Sequence, residues 1–484
     1  MRICLMCDMH LPSDTRALQY DVLSWAVKEL SESKPDCIIF AGDVTCDGNQ
    51  TVYDSFIKGM TELEIPFLYI PGNSDLRSAD TRNVIKEQAS PCENRIKETT
   101  IYAINDCEKK ISPEQISLLE EADDDSIVFM HHPPKNNESL LEWRKRHPKT
   151  MTFYAHSHRF VEDGSLIGLP AMDPDKTIGE EPCIVYYDTE TKQLCKSHYP
   201  ARMPEEMPEY FGISCYNPLE QIDFAIERGL KYIELRRNCS GVEEKELVAR
   251  VEAWRASGGK GLAVHLPDVG YSDGKVIFKD KYDEVFRIVS LLKADRITQH
   301  VPRVGVKTVE SDPRVLEEIC DALAARFNTI SHSVTIGVEN MHMTAKESPD
   351  GNRRFGYIPE ECIKFMKTLG ERCRHKVGVN FDIGHARNNP PYNETYQIGT
   401  WLLTLGEYIV GYHLHQVTEE NGHYENHTAF TEIYGRLISL ASFFKSWEQG
   451  RINHVPIIFE MRQEDAYEKT LDTFREYCNS LEKQ

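Results

Sequence analysis

Eight short apolar segments fill the chain from residue 211 onward, and stretches of helical periodicity separate them. They are FGISCY, YIELR, GLAVHL, RITQHV, TIGVENM, VGVNFDIG, VGYHLHQ and PIIFEMR, with helices expected at segments such as Val315–Arg326 and Glu361–Leu369. Repeated β-then-α units over about 270 residues are what a closed (β/α)8 barrel requires; an open parallel sheet is the alternative such a count leaves.

A chain of 484 residues is too long for one ordinary core, so a second domain is expected ahead of the barrel. Pro200, Pro204 and Pro208 break every periodicity in HYPARMPEEMPEY, because prolines four apart suit neither a helix nor a paired strand. The expected organisation is a domain at 1–198, a stiff linker at 199–210 and the barrel at 211–484, α/β throughout. Strand candidates before the linker are Ile3–Cys7, Cys37–Ala41, Phe67–Ile70, Thr100–Ile104, Ile127–Met130, Thr152–Tyr154 and Ile184–Tyr187. Ser112, Pro113 and Gln115 have the spacing of a capped helix start.

The net charge of −21 is spread over both halves, which weighs against nucleic acid as a partner, since that affinity comes mainly from Lys and Arg at phosphates. Fourteen cysteines are scattered singly, the pattern of a reducing compartment rather than a disulfide framework. Cys4 and Cys7 have CxxC spacing but lie inside an apparent strand, where a redox or metal role is not expected. With no apolar run of 18 residues and no signal-peptide pattern at MRICLMCDMH, a cytoplasmic protein without a membrane partner is expected.

Several strands of the first half end in potential metal ligands: Asp8-Met9-His10, Gly42-Asp43, Gly72-Asn73-Ser74-Asp75, His131-His132-Pro133-Pro134 and Ala155-His156-Ser157-His158. Carboxylate, imidazole and amide oxygen together suit two borderline divalent ions such as Mn, Fe or Zn. Such ions about 3.5–4 Å apart clamp both oxygens of a phosphoryl displacement. In this order the motifs resemble those of the calcineurin-like metallophosphoesterases over roughly residues 1–195. The resemblance implies an α/β sandwich in which Asp8, His10, Asp43 and His158 hold one metal. Asp43, Asn73, His131 and His156 would hold the other, with Asp43 bridging and Asp43, Asn73 and His131 central to catalysis. His131 is preferred to His132 because it comes first after its strand. Ala155 stands where the family usually has Gly. Ser74 stands where it usually has a His that assists the leaving group, and a hydroxyl cannot act as that acid at neutral pH. Ser74 is similar to the small Cys of some phosphodiesterase branches.

In the barrel half, polar residues again cluster at strand ends, where a (β/α)8 barrel builds its site: His265, His300, Glu339, Asp382, His385, His413, His415 and Glu460, with Glu425 and His427 in the loop after the seventh strand. His415 is the first candidate for an ordinary satisfied strand-end residue. Over about residues 210–482 this set resembles the xylose isomerase-like barrels. In the isomerase and epimerase branch, Glu339, Asp382, His413 and Glu460 would hold one metal, with Glu339 and Glu460 as acid and base. The endonuclease IV branch implies three zincs and adds His265, His300, His385, Glu425 and His427. The stretch HTAFTEIYG lacks that branch's Gly-rich run, and Gln416 replaces an Asp.

These resemblances imply a bifunctional enzyme: a dinuclear phosphoesterase, leaning to diesters, fused to a barrel holding one to three Zn or Mn ions and acting on a sugar or sugar phosphate. The alternatives are a DNA-repair nuclease and a protein with one decayed, regulatory site. Small phosphoester and sugar-like substrates are the expected partners; the sequence leaves the oligomeric state open.

Overall fold

The computed structural model describes residues 1–344, 346–349, 353–420, 423–463 and 465–481. The chain forms two compact units: Met1–Arg202 together with Tyr434–Lys445, and Met203–Ile433 together with Ser446–Gln484. The cut after Arg202 falls within the proline-rich segment. The assignment of Tyr434–Lys445 to the first unit is a feature that a single linker at 199–210 did not anticipate.

In the first unit one sheet has the order Leu194–His198, Cys183–Asp188, Arg2–Met6, Cys37–Phe40, Phe67–Tyr69. The other runs Glu93–Ile96, Thr99–Ile104, Ile127–Met130, Met151–Tyr154, Leu166–Gly168, Val161–Asp163. The central strands of both are parallel, so their C-terminal ends share an edge. Alternate residues of the two sheets, Ile3, Leu5, Ile39 and Val185 from one and Ile101, Phe129 and Phe153 from the other, merge into a single buried layer. Their opposite faces are covered by helices: Phe40 meets Phe56 of Gln50–Thr61 at 4.7 Å, while Val128 and Met130 pack with Leu140 and Trp143 of Glu138–Arg146. Burial on both faces is why these strands read as continuous apolar runs. The helix Pro113–Leu119 carries the expected capping box between Ser112 and Gln115.

The second unit is a closed barrel of eight parallel strands: Phe211–Cys215, Tyr232–Leu235, Gly261–His265, Arg296–His300, Thr335–Glu339, Lys376–Asp382, Ile409–Leu414 and Ile457–Phe459. Pairing of Phe211 with Ile457 and of Ile213 with Phe459 closes the ring. Each strand coincides with one of the eight sequence segments. Helices such as Arg314–Phe327 and Pro359–Gly370 follow them. Two hairpins decorate the C-terminal rim, Val269–Ser272 with Lys275–Phe278 and Gln416–Glu420 with His423–Thr428. No helix among the described residues is long and apolar enough to cross a membrane.

Cys4 and Cys7 are buried, and burial pushes both thiols up. Of the fourteen cysteines Cys195 is the exposed one. A thiol reagent added to native protein should therefore consume one thiol in a fast phase that Cys195→Ser removes; several thiols reacting together would contradict this packing.

Candidate metal centres

The ligand-bearing turns of the first unit share one backbone feature. Asp8, His10, Asp43, His156 and His158 all have left-handed backbone, with φ of 51°, 47°, 58°, 64° and 56°. Asp and His are among the residues that tolerate this region, yet five together at strand ends is a costly arrangement of the kind found at functional sites. The glycines of the motifs follow from close approach. A Cβ on Gly72 would lie 2.1 Å from Asp43 Oδ1, and one on Gly42 would lie 2.7 Å from His131 Nδ1.

The turns bring the expected side chains together. Asp8, His10 and His158 offer ligand atoms within 4.8 Å of one another, and so do His131, His132 and His156. Asp43 lies between the groups, its Oδ2 3.2 Å from His10 Nε2 and 3.5 Å from His131 Nε2. Asn73 Oδ1 is 3.0 Å from His131 Nε2. Behind this layer, His131 Nδ1 donates to Ala41 O at 2.9 Å, which leaves Nε2 for the site.

Sequence reasoning missed Asp173 and Asp106 and passed over His132. Asp173 Oδ2 lies 3.5 Å from His10 Nδ1, and Gln19 holds its other oxygen at 2.9 Å. Asp106 accepts the N–H groups of His131 and His132 at 2.8 and 2.9 Å. His132 directs Nδ1 to Asp106 O at 3.1 Å, and its Nε2 is buried without a partner. Asp106 had a readable signal, since it closely follows the strand Thr99–Ile104; Asp173 had none.

The GNSD turn is knitted into the neighbouring loop. Asp75 accepts N–H groups from Val44, Thr45 and Gly72 at 3.2, 2.7 and 2.9 Å. Ser74 N–H donates to Asp43 Oδ1 at 2.8 Å, while its hydroxyl donates to Thr45 O at 2.7 Å. The hydroxyl is fully buried and spent on a backbone carbonyl.

Electrostatically the cluster holds less positive charge than its buried carboxylates call for. Burial pushes the Asp8 carboxyl up to about 7. At Asp43 burial is outweighed by His131 and His10, which hold it well below the usual range. His131 rises to about 9 against its burial because Asp43, Asp8 and Asp106 surround it. Burial takes His10 and His156 down to about 4, which favours their neutral, ligating form. Asp8 Oδ1 is buried without a hydrogen-bond donor. The neutral imidazoles of His10 and His156 beside an undonated carboxylate oxygen form a donor set that fits divalent cations.

The barrel repeats the pattern. His265 Nδ1 donates to Leu266 O at 3.0 Å and His300 Nδ1 to Asp268 Oδ1 at 2.6 Å, with their Nε2 atoms 3.0 and 3.7 Å from Glu339 Oε2. His385 and His427 donate Nδ1 to Asn340 O and Glu460 O at 3.0 and 3.2 Å. Carbonyls and carboxylates only accept, so each of these rings donates from Nδ1, which turns its Nε2 towards the cluster. His413 is reversed. Its Nε2 lies 3.1 Å from Glu234 Oε1, while Nδ1 lies 2.8 Å from Glu460 Oε2, 3.2 Å from Glu339 Oε1 and 3.8 Å from Asp382 Oδ2. Asp382 Oδ2 and Glu460 Oε2 are buried without an aligned donor, so this set too fits divalent cations. Glu339 is held well below its usual range, burial being outweighed by His413 and His300; Glu460 likewise, by Arg236 and His427.

Glu234, in the middle of the second strand, was not anticipated. It is fully buried, takes the Thr298 hydroxyl at 2.6 Å, and faces His413. Arg236, two residues on, pairs with Glu460 Oε1 at 2.9 Å. Glu425 does not join the site as expected: it is exposed on the hairpin that carries His427. The group around His427 is completed instead by His385 and His415, with ligand atoms within 4.8 Å. The His427 N–H donates to His415 Nδ1 at 2.9 Å, and His415 Nε2 lies 3.1 Å from Asp382 Oδ1.

Residues 222–477 match the family model described as xylose isomerase-like TIM barrel, just over half of the chain. The chain belongs to that family. Residues 1–160 match the calcineurin-like phosphoesterase model, and the first unit carries that domain. A curated relative from Arcobacter nitrofigilis, a probable glycerophosphodiester phosphodiesterase (GpdQ), is 31% identical over 118 residues, spanning 21% of this chain and 43% of that protein. The chain thus covers under half of that relative. Among solved structures, a putative xylose isomerase from Rhodospirillum rubrum has 14% identity and a TM-score of 0.43, covering 55% of this chain and 97% of that one. Endonuclease IV from Thermus thermophilus has 14% identity and a TM-score of 0.38, covering 56% and 99%.

Two measurements check this geometry. Metal analysis should find Glu425→Ala unchanged and His427→Ala depleted; equal depletion would return Glu425 to the site. In competition with a chelator, Glu234→Gln should retain metal roughly 10–100-fold less tightly, since it leaves His413 without its carboxylate. Retention equal to wild type would show that Glu234 does not orient the ring.

Proposed function

We propose that the protein is a bifunctional metal-dependent enzyme: a dinuclear phosphodiesterase joined to a barrel that acts on a small, phosphorylated, sugar-like substrate. In the first unit Asp8, His10, Asp43 and His158 would hold one ion, and Asp43, Asn73, His131 and His156 the other, as Mn, Fe or Zn. In the barrel Glu339, Asp382, His413 and Glu460 would hold one ion, with His265 and His300, and His385 and His427, available for up to two more, as Zn or Mn. Bound divalent ions supply Lewis acidity and a nucleophile at neutral pH.

The observation that carries the phosphodiesterase reading is Ser74. Its hydroxyl donates to Thr45 O and is buried, so it cannot reach a leaving group. A leaving oxygen must then depart without a proton from this position, which favours esters of acidic alcohols. The curated relative is named for phosphodiesters, in line with the diester reading.

For the barrel, the supporting feature is a cavity of about 570 Å³ at the strand ends, bordered by His265 and His300 and rimmed by Arg237, Lys279, Arg303 and Arg462. That volume suits a small molecule, and the cations suit a phosphate. The same rim would suit the phosphates of nucleic acid, which makes an abasic-site nuclease the second reading.

With Mn present, the protein should hydrolyse bis(4-nitrophenyl) phosphate and lose turnover in Asp43→Asn. A simple glycerophosphodiester should be the slower substrate; equal rates would remove the argument from Ser74. Cutting of abasic DNA that weakens steeply with salt would favour the nuclease reading of the barrel.

A further inference from the structure

We propose that the floor of the barrel, at the opposite strand ends from the metal centre, binds a small oxyanion (phosphate, free or carried by a small metabolite) between Arg296, Lys260 and Lys376. The proposal starts from an uncompensated cation. Arg296 opens the fourth barrel strand and is 6% exposed. Its guanidinium donates from one terminal nitrogen to Val410 O at 3.1 Å, its Nε is buried without a partner, and it forms no ion pair among the described residues. Burying a lone charge in this way is unfavourable unless something balances it. Glu234 and Glu339 pull in the favourable direction from within the barrel, but burial still holds the guanidinium below its ordinary value.

The barrel makes room for this side chain deliberately. A Cβ on Gly411 would lie 2.2 Å from the terminal nitrogen of Arg296 and 2.4 Å from Asn380 Oδ1. Asn380 is itself fully buried, and both atoms of its amide lack partners. An unmet guanidinium and an unmet amide therefore lie close together in the barrel interior.

Arg296 borders a cavity of about 310 Å³ that Lys260, Lys376, Thr335 and Tyr232 also line, all at the starts of barrel strands or just before them. The acid among its lining residues, Asp295, has one oxygen engaged by the Leu262 N–H at 2.8 Å. Lys260 reaches Glu209 at 3.2 Å on the exposed side. With Lys260 offset by Glu209, Arg296 and Lys376 still outnumber the one lining carboxylate and leave the cavity positive, in a chain whose net charge is −21. The volume admits a phosphate with a few carbons attached and excludes a polymer. Arg296 and His300 share one strand, about 13 Å apart at four residues of extended chain, so the floor and the metal centre are separate sites.

The test is equilibrium binding of inorganic phosphate to the full-length, metal-loaded protein. Wild type should bind one equivalent more than Lys260→Ala/Lys376→Ala, because any phosphate at the metal centres is common to both. These lysines are exposed or peripheral, so the double variant should keep the wild-type circular dichroism spectrum and the wild-type rate on bis(4-nitrophenyl) phosphate. Arg296→Met should lose the same equivalent if it folds, and the lysine pair decides the matter if it does not. Titration with a hexose phosphate separates the two sources. Tighter binding than phosphate marks an organic ligand, and equal or weaker binding marks the free ion. Identical stoichiometry and affinity for phosphate in wild type and the lysine variant would overturn the proposal.

Discussion

Carboxylates buried next to one another impose the condition that both units have to meet. Asp8 and Asp43 are essentially inaccessible, and so are Glu234, Glu339, Asp382 and Glu460 in the barrel. Like charges in a low-dielectric interior cannot all ionise unless a cation lies among them. The protein's own response is partial. His131 and His413 are driven towards the charged form, while Asp8 is pushed towards the neutral one. The surrounding groups, which include rings tied back through one nitrogen, carboxylate oxygens without donors and glycines that allow backbone contact, serve to keep those carboxylates converging on a point that a cation would occupy.

Much of this was legible because both units are built of parallel strands. A parallel strand buried on both faces gives an uninterrupted apolar run, so Ile127–Met130 and Thr335–Glu339 announce themselves, and the polar residue that ends the run marks the edge where chemistry can sit. The same logic located Asp8, Asp43, His131, His265, Glu339 and Glu460 by position alone. The carry-over of Glu425 from the endonuclease IV resemblance failed where position is set by tertiary pairing. Glu425 and His427 have the same parity, yet the hairpin they occupy pairs with a register shift between Gln416 and Thr418, and one is exposed while the other is buried. A residue count from the strand end cannot see that shift.

Supporting residues were harder still. Asp173 and Asp106 act through other side chains, and their identity depends on which loop passes behind which histidine. Glu234, like Asp106 just beyond its strand, could have been read. A carboxylate in the middle of the run YIEL breaks the apolar pattern of a buried strand, and such an interruption needs a partner inside the barrel. Charge sums misled in a milder way. A net charge of −21 conceals two positive regions on one barrel, Arg237, Arg303 and Arg462 at its mouth and Arg296 with two lysines at its floor.

The reversed ring of His413 has a consequence for how the site can drift under mutation. An asparagine side chain extends its amide about as far as Nδ1 of a histidine, whereas glutamine reaches the place of Nε2. His265, His300, His385 and His427 are tied back through Nδ1, so at those positions a glutamine oxygen comes nearest to the lost nitrogen. At His413 it is asparagine that does so, because Nδ1 is the atom facing Glu339 and Glu460. Among descendants of this chain the two amides are therefore not interchangeable. Each would mark which edge of the vanished imidazole once faced the cluster, and a substitution of the other kind would take the oxygen away from the place a cation would occupy.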